Sequence, residues 1–273
     1  MPTESDNEND LLSQKARPII NEFNKQKLVA FIDILGYKGE IKNKNFKAAF
    51  ILDKTLRSDT RSHKIVYPEI SIKPFSDCLC LSCEIEDHLF GERMAGMFSV
   101  LSTFQEVLAC NGIFLRGGLV KGNHFESANI IFSTSLLNAI EIEKKASSPR
   151  ILIDDNLILE FKERSYKTNN AGSALGRFLI DKRDNSRFID YLPESPIESL
   201  RQTYGRIKSA IEMQIMKNRN NDHVLEKYRW LTAYYNFKIK ELFQSLDMSD
   251  LRIESEFLEF DFKKDLFWFA PDL

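Results

Sequence analysis

Residues Lys27 to Leu35 read KLVAFIDIL, a short apolar run interrupted by one aspartate, Asp33. Val29, Ile32 and Ile34 are branched at Cβ, and such a run predicts a buried strand. An unpaired carboxylate within it is costly to bury, so a chain keeps one there where the charge meets a cation. Gly36 follows directly and permits a tight turn. The segment therefore predicts a buried strand ending in a charged turn.

The rest of the chain supplies partners for that strand. Asn43 to Leu56 predicts a helix, and IVYPEISIKPFSDCLCLSCE (Ile65 to Glu84) predicts two strands with Ser76-Asp77 at the bend. His88 to Cys110 predicts a long helix stopped by Asn111-Gly112. Strands are expected at Ile113–Val120 and Arg150–Ile153, with a helix at Ser133–Lys145 between them. A hairpin is expected around Asp184-Asn185, joining 177–181 to 187–192. Pro196–Lys217 and Asp222–Leu246 predict long helices, and the phenylalanine-rich tail from Phe257 to Phe269 should pack down. This order predicts an α+β sheet with helices on one face. Residues 1–26 read as a flexible lead-in, 27–192 as the main domain, and 193–273 as a helical extension packed on it.

Asp77, in KPFSDCL, is a second aspartate flanked by apolar strand residues. Taken alone, an aspartate at a strand end is more often a turn or helix-capping residue than a ligand. Two carboxylates at adjacent strand ends, beside a glycine turn, can hold divalent ions that orient a polyphosphate.

FIDILGY followed by FSDCLCL resembles the two metal-binding motifs of class III nucleotidyl cyclases. LRGGLVKGN and LLNAIEIEKKA-SSPRILI resemble that family's later strand, glycine turn and helix-strand passage. The resemblance spans about residues 27–192. It implies a ferredoxin-like sheet and two Mg²⁺ or Mn²⁺ ions on Asp33, Asp77 and the backbone of Ile34. It implies a triphosphate held by the turn Ile34, Leu35, Gly36 and Tyr37. It also implies a homodimer with sites at the subunit interface. The family's transition-state asparagine and arginine fall on Leu137 and Glu141 here, its adenine-reading aspartate near Ile130, and its base-reading lysine on Lys73. With DYLP and EKYRWLTAYYN, the whole is most similar to the pyrimidine cyclases of bacterial anti-phage defence, the Pycsar type. That resemblance implies conversion of UTP, or CTP, to a cyclic monophosphate read by a separate effector protein. Purine cyclisation and an inactive nucleotide-binding module are the alternatives.

Three further residues are candidates on their chemistry. Arg116 is a permanent cation able to grip phosphate bidentately, or equally to form a structural ion pair. Tyr67 can stack on a pyrimidine or pack in a strand. Lys121, in VKGN, can add charge to a triphosphate site or sit solvated in a turn. Trp230, Tyr234 and Tyr235 read as helix packing, and Lys144-Lys145 as a solvated helix end.

A net charge of −2, with 29% charged residues, offers no basic surface for nucleic acid or an anionic membrane. No apolar run reaches membrane-span length, and the polar, acidic N-terminus lacks signal-peptide character. A cytoplasmic location is expected. Cys78, Cys80, Cys83 and Cys110 have neither CxxC spacing nor a nearby histidine, which argues against zinc.

Overall fold

The apolar run becomes β1 (Gln26–Ile34), hydrogen-bonded on both sides in the interior of the sheet. The structure, a computed structural model, describes residues 4–42, 44, 46, 49–55, 57, 66–75, 78–168, 178–193, 197–243, 248–254 and 261–264. Within these, α1 is Glu4–Phe23, α2 Tyr37–Lys42, β2 Ser71–Phe75, β3 Cys78–Glu84, α3 Phe90–Ala109 and β4 Leu115–Glu126. Then follow β5 Ile131–Ser133, α4 Thr134–Lys145, β6 Ile151–Ile153, α5 Asp155–Thr168, β7 Phe178–Asp181 and β8 Ser186–Ile189. The C-terminal part is α6 Ile197–Lys217, α7 Asp222–Phe243 and β9 Phe262–Lys264. The strand order is β2-β3-β1-β4-β6-β8-β7-β9, with β5 on β4. Only β4 and β6 run parallel among the described pairs, and β5 with α4 makes the crossover between them.

The α+β sheet stands as expected, but helices cover both faces rather than one. Successive β1 side chains point to opposite faces. Leu28, Ala30, Ile32 and Ile34 join one core with Met94, Phe98, Leu101 and Phe104 of α3 and Phe161 of α5. Val29 and Phe31 pack on the other face with Ala139 of α4. Along the same face, Leu152, Leu179 and Phe188 meet Tyr204 of α6 and Trp230, Tyr234 and Tyr235 of α7. A continuous apolar strand, rather than an alternating one, reflects this double cover.

Local chemistry accounts for most element ends. α3 stops where Gly112 takes φ +76°, with Ile113 N–H donating to Leu108 O at 3.0 Å. The Ser133 hydroxyl caps α4, accepting from Leu136 N–H at 2.9 Å. At the 184–185 hairpin, Asn185 takes φ +61° and Asp184 accepts from Ser186 N–H at 3.0 Å.

Three differences have physical causes. Glu4–Phe23 form α1 where a flexible lead-in was expected, and its end is anchored: the Phe23 ring lies 5.2 Å from Phe132, and Phe23 O accepts from Asn123 Nδ2. β4 runs on to Glu126 because β5 folds back and pairs with it. α5 was not anticipated; Asp154 caps it, its carboxylate accepting from the N–H groups of Asn156 and Leu157. The tail packs down where it is described: the Phe262 ring meets Trp230 edge-on at 5.6 Å and lies tilted against Phe237 at 5.5 Å.

Candidate active site

Asp33 is the last inward-facing residue on the second face of β1, opposite Cys78 of β3 and Arg116 of β4. Its Oδ2 accepts from Nη2 and Nε of Arg116 at 2.8 and 2.9 Å. Its Oδ1 has one weak contact among the described residues, Cys78 Sγ at 3.9 Å. The cost of burying the carboxylate is thus met by a guanidinium one strand away, which sequence spacing alone does not reveal.

Arg116 reaches a second acid. Its Nε lies 2.6 Å from Oε1 of Glu143 on α4, yet that buried oxygen makes no hydrogen bond among the described residues. The two facts agree once the single Nε hydrogen points at Asp33: Glu143 gains Coulombic attraction only. Burial raises the Glu143 pKa, attraction to Arg116 opposes this, and repulsion from Asp33 adds to it. From α7, Lys227 faces the same group. Burial lowers its pKa, Arg116 lowers it further, and Asp33 and Glu143 oppose the shift.

Close backbone approach makes the cluster possible. A Cβ on Gly117 would lie 2.3 Å from Phe31 O, and one on Gly118 2.4 Å from Ala139 O. Glycines here let β4 sit against both β1 and α4, so Arg116 spans from Asp33 to Glu143. Beyond β1, Gly36 takes φ +80°, a conformation that disfavours any side chain, and the chain turns into α2. Ile34, Leu35, Gly36 and Tyr37 all line a cavity of about 920 Å³. Leu35 N–H donates to Phe114 O at 2.9 Å, fixing the turn and removing that donor from any ligand.

The remaining expected residues distribute unevenly. Ser76 and Asp77 lie outside the described residues; their chain neighbours Phe75 and Cys78 are paired across β2 and β3. Tyr67 packs on the opposite face, against Gly96 of α3 and the first core. Lys121 also faces that side, where Glu160 of α5 holds it at 2.5 and 2.6 Å. Neither meets Asp33. The expectation for Lys121 assumed a turn, whereas β4 continues through it, so its odd offset from Arg116 reverses its face. Lys73 donates to Ser127 O. Ile130 and Leu137 are 55% and 63% exposed, and Glu141 and the Lys144-Lys145 pair are exposed. Glu143 and Lys227 are the members that sequence reading missed.

Among the described residues no group of three or more His, Cys, Asp or Glu side chains is placed to hold a metal ion. The donor chemistry still fits a hard divalent cation. Asp33 keeps Oδ1 free of any strong partner among the described residues, and carboxylate oxygen suits Mg²⁺ or Mn²⁺. No described helix is long and apolar enough to cross a membrane.

No protein-family model matches the chain, and no curated protein sequence matches it. Solved structures of similar shape include the guanylyl cyclase domain of the RhoGC fusion protein from Blastocladiella emersonii, at TM-score 0.44 and 13% identity, over 61% of this chain and 95% of that one. The adenylyl cyclase CyaB from P. aeruginosa aligns at TM-score 0.42 and 13% identity, over 63% and 95%. The guanylate cyclase domain of RhGC from Catenaria anguillulae, solved with GTP, aligns at 0.42 and 13%, over 61% and 96%.

Proposed function

We propose that the chain is a metal-dependent nucleotidyl cyclase. The observation that carries this reading is Asp33. It lies at the end of an interior strand, keeps one carboxylate oxygen without a strong donor among the described residues, is bridged by Arg116, and adjoins a glycine turn that opens on a large cavity. A carboxylate kept in such a place suits cation and phosphate chemistry better than core stability.

In this reading Asp33, the Ile34 carbonyl and Asp77 hold Mg²⁺ or Mn²⁺, which when bound supplies charge neutralisation of the triphosphate and acidifies the ribose hydroxyl. The turn at Gly36 and Tyr37 receives the triphosphate. Arg116, pre-oriented between Asp33 and Glu143, stabilises the negative charge that grows on the α-phosphate. The 3′-hydroxyl gives its proton to solvent, its oxygen forms a bond to the α-phosphorus, and the bond from that phosphorus to the α,β-bridging oxygen breaks, releasing pyrophosphate.

The finer reading is a pyrimidine substrate, UTP before CTP, with the cyclic product read by a separate effector in anti-phage defence. It rests on the motif resemblance. Its support is that apolar Ile130 and Leu137 stand where purine cyclases place a base-reading aspartate and a transition-state asparagine. Residues 27–192 are the cyclase unit, and 193–273 an extension packed against it. A homodimer is part of the same reading: exposed Phe75, Phe132 and Leu137, on β2, β5 and α4, and Ile130 just before β5, give an apolar surface suited to a second copy.

Pyrophosphate release from each of the four ribonucleoside triphosphates with Mn²⁺ tests substrate choice. Preference for UTP or CTP is expected. Preference for ATP or GTP would move the assignment to a purine cyclase. Tight nucleotide binding without release would leave a binding module.

A further inference from the structure

The cavity beyond the Gly36 turn has a second wall that the cyclase reading does not use. It is closed by α6 and α7, from the C-terminal extension. Arg201, Arg206 and Lys217 of α6 and Lys227 of α7 line it, and among the described residues no carboxylate does. Arg201 is committed to Asp250 at 2.5 Å. Among the described residues, no carboxylate pairs with Arg206 or Lys227 in an ion pair. A cavity of about 920 Å³ thus has cations on one wall and a glycine turn on the other, an arrangement suited to an anionic ligand.

The helices that bring these cations are firmly placed. Tyr228, next to Lys227, sets its ring 6.0 Å from Phe114, and Phe114 O holds the turn through Leu35 N–H. Ala210, one turn beyond Arg206, lies close against Gly112 at the end of α3. The cationic wall and the substrate turn are thus parts of one packed unit, and both belong to the same chain as Asp33.

We propose that this cleft is a condensed-phosphate site, in which Arg206 and Lys227 of the C-terminal helices bind the phosphate chain in cis. The chain bound is the substrate's triphosphate or the pyrophosphate it releases; this source, though not the anion site itself, rests on the cyclase reading. The extension then becomes part of the binding machinery and not only a cover for the sheet. It supplies charge that the α4 positions Leu137 and Glu141 do not.

The test is calorimetric titration of the intact chain with inorganic pyrophosphate, for the wild type, Arg206→Gln, Lys227→Gln and a control, Lys263→Gln on the exposed side of β9. Each cleft variant should bind about tenfold more weakly, from loss of one charge-assisted contact, while the control binds as the wild type does. A parallel rise in KM for the nucleoside triphosphate assigns the site to the substrate's chain. An unchanged KM with weakened pyrophosphate binding assigns it to the released product. If the wild type does not bind pyrophosphate, or if both folded cleft variants bind it undiminished, the proposal is wrong. Pyrophosphate binding that depends on Arg206 and Lys227 in a chain that cyclises no nucleotide would keep the anion site and discard the cyclase.

Discussion

Two groups of buried charge lie on the same face of the sheet, and they are completed differently. At the β7–β8 end, Lys238 of α7 is fully buried and donates to Asp190 Oδ2 at 2.6 Å, while Tyr234 donates to Asp190 Oδ1 at 2.5 Å. Beside it, Asp181 accepts from Arg150 at 2.7 Å, Arg183 at 2.9 Å and Trp230 at 2.7 Å. Both oxygens of Asp181 and both of Asp190 have a strong donor from the chain itself. At the β1–β4 end, among the described residues, Asp33 has one oxygen without a strong donor and Glu143 Oε1 has no hydrogen bond. The first region fastens the C-terminal helices to the sheet. The second is left incomplete beside a cavity, which is the condition for accepting a ligand.

The carboxylates record the contrast. Burial pushes the Asp181 pKa up, but hydrogen bonds from Arg183 and Trp230 and the charge of Arg150 bring it below its ordinary value. For Glu143 burial prevails and the shift is upward. Hydrogen-bonded satisfaction wins in one cluster and desolvation in the other.

The largest effect should come from breaking the complete cluster. Lys238→Met leaves Asp190 buried without its cation and should cost about 3–5 kcal/mol in urea unfolding, with turnover per folded molecule unchanged. Arg116→Gln, in the incomplete cluster, should instead lower kcat about 10²–10³-fold, read by pyrophosphate release under saturating nucleotide. Gly118→Ala tests the packing behind that cluster. Its Cβ would meet backbone at 2.4 Å and Ile142 at 2.9 Å, so thermal unfolding should show a loss of about 1–3 kcal/mol. The smallest effect is the acid limit. Asp181 and Asp184 have folded pKa values below the ordinary 3.8, so their contribution is complete above that value and is lost as pH falls through the folded values. Urea midpoints should hold from pH 6 to about 4 as far as these groups are concerned and decline below. Asp184→Asn should flatten that decline.

Much of this contrast was legible in the sequence, and the limit of legibility has a physical cause. β1 announced itself by a continuous apolar run, α3 by its Asn111-Gly112 stop, and the β7–β8 hairpin by Asp184-Asn185, because each is a local preference of the backbone. Asp33 stood out because a carboxylate in that run demands a partner. The identity of the partners depends on register across strands and on a helix nearly two hundred residues away, so Glu143 and Lys227 carried no local signal. Lys121 was the avoidable miss. Once β4 is taken as one strand, the odd spacing from Arg116 sends it to the other face, where Glu160 holds it. Tyr67 failed for a different reason: it precedes β2 and fills the space left by Gly96 on α3, a packing fit no motif encodes.

The incomplete cluster is the centre of the account, and product mass tests it most directly. Wild-type protein and Asp33→Asn, both shown folded by circular dichroism, are incubated with UTP and Mn²⁺ and the nucleotide products weighed by mass spectrometry. A cyclic mononucleotide and pyrophosphate are expected from the wild type and neither from the variant. The same cyclic product at undiminished rate from folded Asp33→Asn would contradict that expectation.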